Sequence, residues 1–108
     1  MKNSKNRIEA CLAVVIACEK CASDCIVEGH KECIALCKDC ADICLLYAQL
    51  EARESVYAPE LRALYAKVCK ACAAECGKHI SNRNSCEDCV NACLKCVEVD
   101  KVTSGTSI

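Results

Sequence analysis

Along most of this chain apolar positions recur every three or four residues, the repeat of an amphipathic helix. The stretch from Cys33 to Cys44 reads C-I-A-L-C-K-D-C-A-D-I-C, with Cys33, Cys37, Cys40 and Cys44 spaced four, three and four apart. Residues at those spacings share one helical face. That face is a stripe of thiols where a soluble helix would normally carry Leu and Ile. Three more stripes follow the rule: Cys11, Cys18, Cys21 and Cys25; Cys69, Cys72 and Cys76; and Cys86, Cys89, Cys93 and Cys96. Every one of the 15 cysteines falls into one of the four sets.

The punctuation predicts four helices. The first runs from about Ser4 to Glu28 and stops at Gly29, a residue favoured just past a helix end. The second opens at His30 or Lys31 and continues to about Ser55. Ala58-Pro59-Glu60 starts the third, with Pro59 in the first turn, where its missing N–H costs nothing. That helix ends near Gly77 and Lys78. Ser85-Cys86-Glu87-Asp88 has the Ser-x-x-acid form of an N-cap box, so the fourth helix is expected from Cys86 to about Val99. With only three Gly and one Pro, the chain has little material for loops. The expected fold is all-α: an up-down-up-down four-helix bundle with a cysteine-lined core, over residues 1–102, and a flexible C-terminal tail at 103–108.

Read as heptads, the thiols take the inward a and d positions, and Val14 stands where a further cysteine would fit. One or two core cysteines would be ordinary small apolar residues. Fifteen, with scarcely any Leu or Ile on the same stripes, are not. A second apolar set lies off the stripes: Leu12, Val15, Ile16 and Ile26 on helix 1, and Leu36, Ile43 and Leu50 on helix 2. These residues are expected either to flank the core or to meet another protein surface.

Composition removes several classes. A net charge of −1, with both signs interspersed, offers nothing to nucleic acid or an anionic membrane. The absence of Phe and Trp argues against base stacking. Such cysteine density normally signals a secreted disulfide scaffold. The start, M-K-N-S-K-N-R-I-E-A-C, does not read as a signal peptide, because its apolar run from Leu12 to Cys18 is short and flanked by Glu9 and Glu19. Cβ atoms at i,i+4 on a helix are about 5–6 Å apart, beyond the roughly 3.5–4.5 Å of a disulfide. Cross-helix disulfides stay open, but a reducing cytosol suits these thiols better, so the expected location is cytoplasmic.

Thiolate is a soft ligand that selects Cu(I), Zn(II) or iron–sulfur clusters. Two-coordinate Cu(I) needs two sulfurs on opposite sides, roughly 4.6 Å apart if its bonds match the 2.3 Å of zinc–sulfur. Cys-x-x-x-Cys on a helix can supply that clamp, as Cys21/Cys25, Cys33/Cys37, Cys40/Cys44, Cys72/Cys76 and Cys89/Cys93. One Cu(I) per thiolate leaves a neutral core, whereas zinc with four thiolates leaves two negative charges at each site, and buried charge is costly. Cu(I) is favoured; Zn(II) or a mixed-metal thiolate buffer is the alternative. The iron–sulfur spacing C-x2-C-x2-C-x3-C-P is not met at Cys18, Cys21 and Cys25.

In these motifs the chain resembles the four-helix-bundle copper-storage proteins, of the type without an export signal. The resemblance covers about residues 7 to 99. It rests on C-x-x-C-A-x-x-C from Cys18 to Cys25, L-C-K-D-C-A-D-I-C from Leu36 to Cys44, C-K-A-C-A-A-E-C-G-K-H from Cys69 to His79 and C-E-D-C-V-N-A-C-L-K-C from Cys86 to Cys96. It implies a homotetramer of bundles that stores many Cu(I) ions in the cytosol through cysteine sulfur, without enzymatic activity. Copper would be delivered or removed by small thiols or a copper chaperone. The chain departs from the fuller pattern at Val14, Arg62 and Tyr65.

Two other classes lack support. Thioredoxin-like chemistry at Cys37/Cys40 needs a βαβ context, and no strand pattern occurs. A copper-responsive regulator needs a basic DNA-binding helix, which is absent. A low-capacity copper chaperone is the nearest rival and would hold about one ion at an exposed site. Copper is expected to enter at the end carrying His30 and His79, where Cys25, Cys33, Cys76 and Cys86 lie nearest, with His79 as an extra metal ligand. The opposite end, with Val14, Tyr47 and Tyr65 flanked by Ile8 and Leu61, is expected to be a bulky, mostly apolar plug.

Overall fold

The computed structural model describes residues 2–80 and 84–105, with side chains from Ser4 to Ile80 and from Asn84 to Lys101. Four helices follow in order: α1 (Lys2–Ile26), α2 (Lys31–Ala52), α3 (Ala58–Gly77) and α4 (Asn84–Gly105). α1 packs on α2 and α4, and α3 on the same two, which is the expected up-down-up-down bundle. The molecule is 42 Å along its long axis.

The connections are short because local chemistry reverses the chain at once. After α1 the Glu28 N–H donates to the Cys25 carbonyl at 3.2 Å, and Gly29 turns the chain at φ +69°. Only glycine adopts that left-handed conformation without penalty. Between α2 and α3, Glu54 takes φ +55°, and the Ser55 N–H returns to the Leu50 carbonyl at 2.9 Å. Pro59 stands in the first turn of α3, as expected.

α4 differs from expectation at both ends. It begins at Asn84, so Ser85 lies inside the first turn and is not the N-cap; its Oγ is buried with no hydrogen-bond partner among the described residues. It continues past Val99 to Gly105 because no Gly or Pro interrupts 98–104, so Thr103 to Gly105 of the expected tail are helical. The rest of the expected tail, 106–108, lies outside the described residues. α1 and α2 each stop two or three residues earlier than the periodicity suggested, at Ile26 and Ala52.

The core is the thiol stripes. All 15 cysteines are buried and free, joined by Val14, Tyr47, Tyr65 and several alanines. Val15, Ile43 and Leu50 pack against the edge of this core. Leu12, Ile16 and Ile26 face outward, Ile16 at 73% exposure, so the off-stripe set divides between flanking packing and open surface.

Candidate metal centre

The cysteines converge from four helices into one column of sulfur. Along a helix, Cys21 and Cys25 bring their Sγ atoms to 4.0 Å, and Cys72 and Cys76 to 3.9 Å. Between helices the approach is closer: Cys33 to Cys76 at 3.4 Å, Cys18 to Cys89 and Cys37 to Cys76 at 3.5 Å, Cys40 to Cys69 at 3.6 Å. A heptad reading places thiols inward but cannot say which sulfurs meet across the bundle, so these contacts were missed.

Five groups of three or four thiols have all their sulfurs within 4.8 Å of one another. They are Cys18/Cys72/Cys89/Cys93, Cys21/Cys33/Cys37/Cys76, Cys21/Cys25/Cys33/Cys86, Cys37/Cys72/Cys76/Cys89 and Cys40/Cys44/Cys69. Every Cys-x-x-x-Cys pair lies inside one of them, so all five clamps are within metal-bridging reach. Cys11 and Cys96 belong to no group and instead face each other at 3.6 Å.

Among the described residues the buried cation, Arg7, pairs with Tyr47 and Glu51 and not with a thiol. Burial pushes the Cys25, Cys33 and Cys86 thiols up from their ordinary range. Deeper in, Cys72 and Cys76 are held below that range by S–H donors around them, Cys18 foremost for Cys72 and Cys21 foremost for Cys76. The column is thus a network in which some sulfurs donate and others accept. A soft cation displacing those protons would meet ligands already in van der Waals contact.

The two ends differ. At one, the rings of His30 and His79 stack at 4.0 Å with 17° between planes. The turn after α1 and the turn after α3 therefore share an end, as expected. His79 Nε2 lies 3.3 Å from Glu75 Oε2, and His30 Nε2 lies 3.6 Å from Glu28 Oε1. His30 Nδ1 is buried without a partner among the described residues. Neither imidazole joins a thiol group, so the structure places His79 beside the sulfur column and not within it.

At the opposite end Val14, Tyr47 and Tyr65 are fully buried, with the tyrosine rings 4.6 Å apart. This end was expected to be mostly apolar and is not. Arg7 Nε donates to the Tyr47 hydroxyl at 2.8 Å, while the Tyr65 hydroxyl and Arg62 Nε both donate to Asp100 Oδ1 at 3.1 Å. The Ser4 hydroxyl donates to Glu51, whose carboxylate also pairs with Arg7 at 3.6 Å. A buried phenol needs a hydrogen-bond partner, which recruits polar groups that a hydrophobicity pattern does not reveal. Burial pushes Tyr47 up to about 12; Tyr65 is also raised, by burial and then by the charge of Asp100.

No helix among the described residues is long and apolar enough to cross a membrane. The family model for copper storage proteins matches residues 1–102. The cysteine-rich protein YhjQ of Bacillus subtilis (strain 168) is 39% identical over 95 residues, 84% of this chain and 86% of that protein. The Cu(I)-bound copper storage protein BsCsp3 superposes with a TM-score of 0.86 at 36% identity, covering 93% of this chain and 96% of that one. A cytosolic copper storage protein from Streptomyces lividans, solved during copper loading with five coppers, has the same TM-score at 30% identity, over 93% and 90%. A thiol-lined bundle with these matches over nearly its whole length belongs to the copper storage protein family.

Proposed function

We propose that this chain stores copper as many Cu(I) ions inside the bundle, with the sulfurs of all fifteen cysteines as ligands. The observation that carries the reading is a core of free, buried thiols, thirteen of which sit in groups with sulfurs within 4.8 Å. One Cu(I) for each thiolate keeps such a core neutral, which avoids the cost of buried charge. A cargo of this kind asks for no catalytic group, so the protein acts as a store and not as an enzyme.

The storage unit is residues 1–102, working in the cytosol as a homotetramer, with the exposed Leu12 and Ile16 contributing to the contacts between copies. Copper passes in and out at the histidine end, carried by small thiols or a copper chaperone. His79 serves there as a passing ligand, since imidazole binds Cu(I) less tightly than thiolate does. Its ring lies at the same end as Cys25, Cys33 and Cys86, which supports that role.

Anaerobic titration of the reduced, metal-free chain with Cu(I), against a chromophoric chelator, tests the reading. Uptake should approach the cysteine count, with sulfur-to-copper charge-transfer absorption rising throughout. Saturation at one or two ions would sink it in favour of a chaperone.

A further inference from the structure

One thiol group is unlike the others. Cys37 of α2, Cys72 and Cys76 of α3 and Cys89 of α4 touch one another along all six edges of a tetrahedron. The edges are 3.7 Å for Cys37–Cys72, 3.5 Å for Cys37–Cys76, 3.9 Å for Cys37–Cys89, 3.9 Å for Cys72–Cys76, and 3.7 Å for both Cys72–Cys89 and Cys76–Cys89. The other three four-thiol groups each lack at least one such contact. In Cys21/Cys25/Cys33/Cys86, for example, no thiol–thiol hydrogen bond joins Cys33 to Cys86.

A regular tetrahedron with edges of about 3.7 Å has its centre about 2.3 Å from each corner, which is the zinc–sulfur bond length. Linear Cu(I) would need two sulfurs about 4.6 Å apart at the same bond length, so copper must spread these four. We propose that the empty store holds one tetrahedral tetrathiolate site, Cys37/Cys72/Cys76/Cys89, for a borderline-soft divalent cation, Zn(II) in the cell. The proposal goes beyond Cu(I) storage and does not depend on it.

The objection to zinc is the charge it leaves behind. A divalent ion replaces four thiol protons, which pass to solvent, and the centre keeps a charge of −2. Here three thiols outside the cage stand ready to offset it. Cys18 lies 3.8 Å from Cys72 and 3.5 Å from Cys89; Cys21 lies 3.8 Å from Cys76, and Cys33 lies 3.4 Å from Cys76. Each can keep its proton and donate it to a metal-bound sulfur, and hydrogen bonds to a charged acceptor are the strong ones. The same neighbours make the site temporary. Four Cu(I) ions arriving at the four thiolates neutralise them and free the divalent ion, so charge balances and no electron moves. Thiolate softness drives the exchange toward Cu(I).

Cobalt(II) is the probe, because it reports tetrahedral sulfur coordination by intense visible d–d bands and sulfur-to-metal charge transfer. The reduced, metal-free chain should take up one Co(II), with that spectrum, and one equivalent of Zn(II) should bleach it. Cys72→Ser and Cys89→Ser should each shift the spectrum and weaken binding at least tenfold, with the helical circular dichroism retained. Cys11→Ser, remote from the cage, should lower Cu(I) capacity and leave the Co(II) spectrum in place. A weak octahedral spectrum, uptake of several equivalents, or a spectrum untouched in the Cys72 and Cys89 variants would overturn the proposal. Cu(I) capacity, measured on the same preparations, reports on storage separately.

Discussion

The histidine end and the tyrosine end of the bundle close the same sulfur column by opposite means. At the histidine end the covering groups are potential ligands: two stacked imidazoles and, below them, Cys25, Cys33 and Cys86. His79 contacts Glu75 at 3.3 Å and His30 contacts Glu28 at 3.6 Å. At the tyrosine end the covering groups are ties. Arg7 joins α1 to Tyr47 of α2, Asp100 of α4 gathers Tyr65 and Arg62 of α3, and the ring contact links α2 to α3. An end built of exchangeable ligands can admit a soft cation with small side-chain movements. An end built of buried phenols and ion pairs opens only by breaking several interactions together. The difference gives a symmetric-looking bundle a direction.

Cutting the tied end should have the largest effect. Tyr65→Ala removes a fully buried ring and should cost about 3–5 kcal/mol in the metal-free protein, read as a lower midpoint in chemical denaturation. It should also open a second route, so that Cu(I) loads faster by stopped-flow absorption. Unchanged loading in a folded variant would show that the ties do not act as a seal.

Alkali should weaken the same end without mutation. Tyr47 is raised from 10.0 to about 12, so the folded chain keeps a proton there that the unfolded chain gives up. Stability from this group is complete below about pH 10 and is lost as the pH rises through about 12, a difference of about 2–3 kcal/mol. Buried thiols whose values are raised act with the same sign. Thermal unfolding should shift downward over this range, and in a Tyr57→Phe variant, which lacks the exposed phenol, the phenolate band should appear together with the loss of helix.

Asp100→Ala is a finer cut. It removes the acceptor of the buried Tyr65 hydroxyl while leaving the rings in place, and should cost about 1–3 kcal/mol. An unchanged denaturation midpoint would assign the seal to ring packing alone.

The smallest change is expected at the other end. His79→Phe should slow Cu(I) loading or removal several-fold, leaving capacity and stability nearly as they were. Faster uptake when the tyrosine end is opened, with no effect of His79→Phe, would place the mouth at the tyrosine end.

The four thiol stripes, the all-α bundle and the end shared by His30 and His79 were determined by the sequence alone. Each depends on a local repeat, or on the parity of short connections, and needs no knowledge of how one helix sits against another. The buried phenols were legible too, but not their partners: Arg7 is 40 residues from Tyr47, and Asp100 is 35 from Tyr65. Nor could the repeat say that Cys37 meets Cys72, Cys76 and Cys89, while Cys11 meets Cys96. Those meetings depend on the stagger and rotation of the helices. A slip of one residue moves a side chain about 1.5 Å along the axis and turns it by about 100°, enough to break contacts of 3.5–3.9 Å. Periodicity puts sulfur inside the bundle; only packing across four helices sets which sulfurs share a metal.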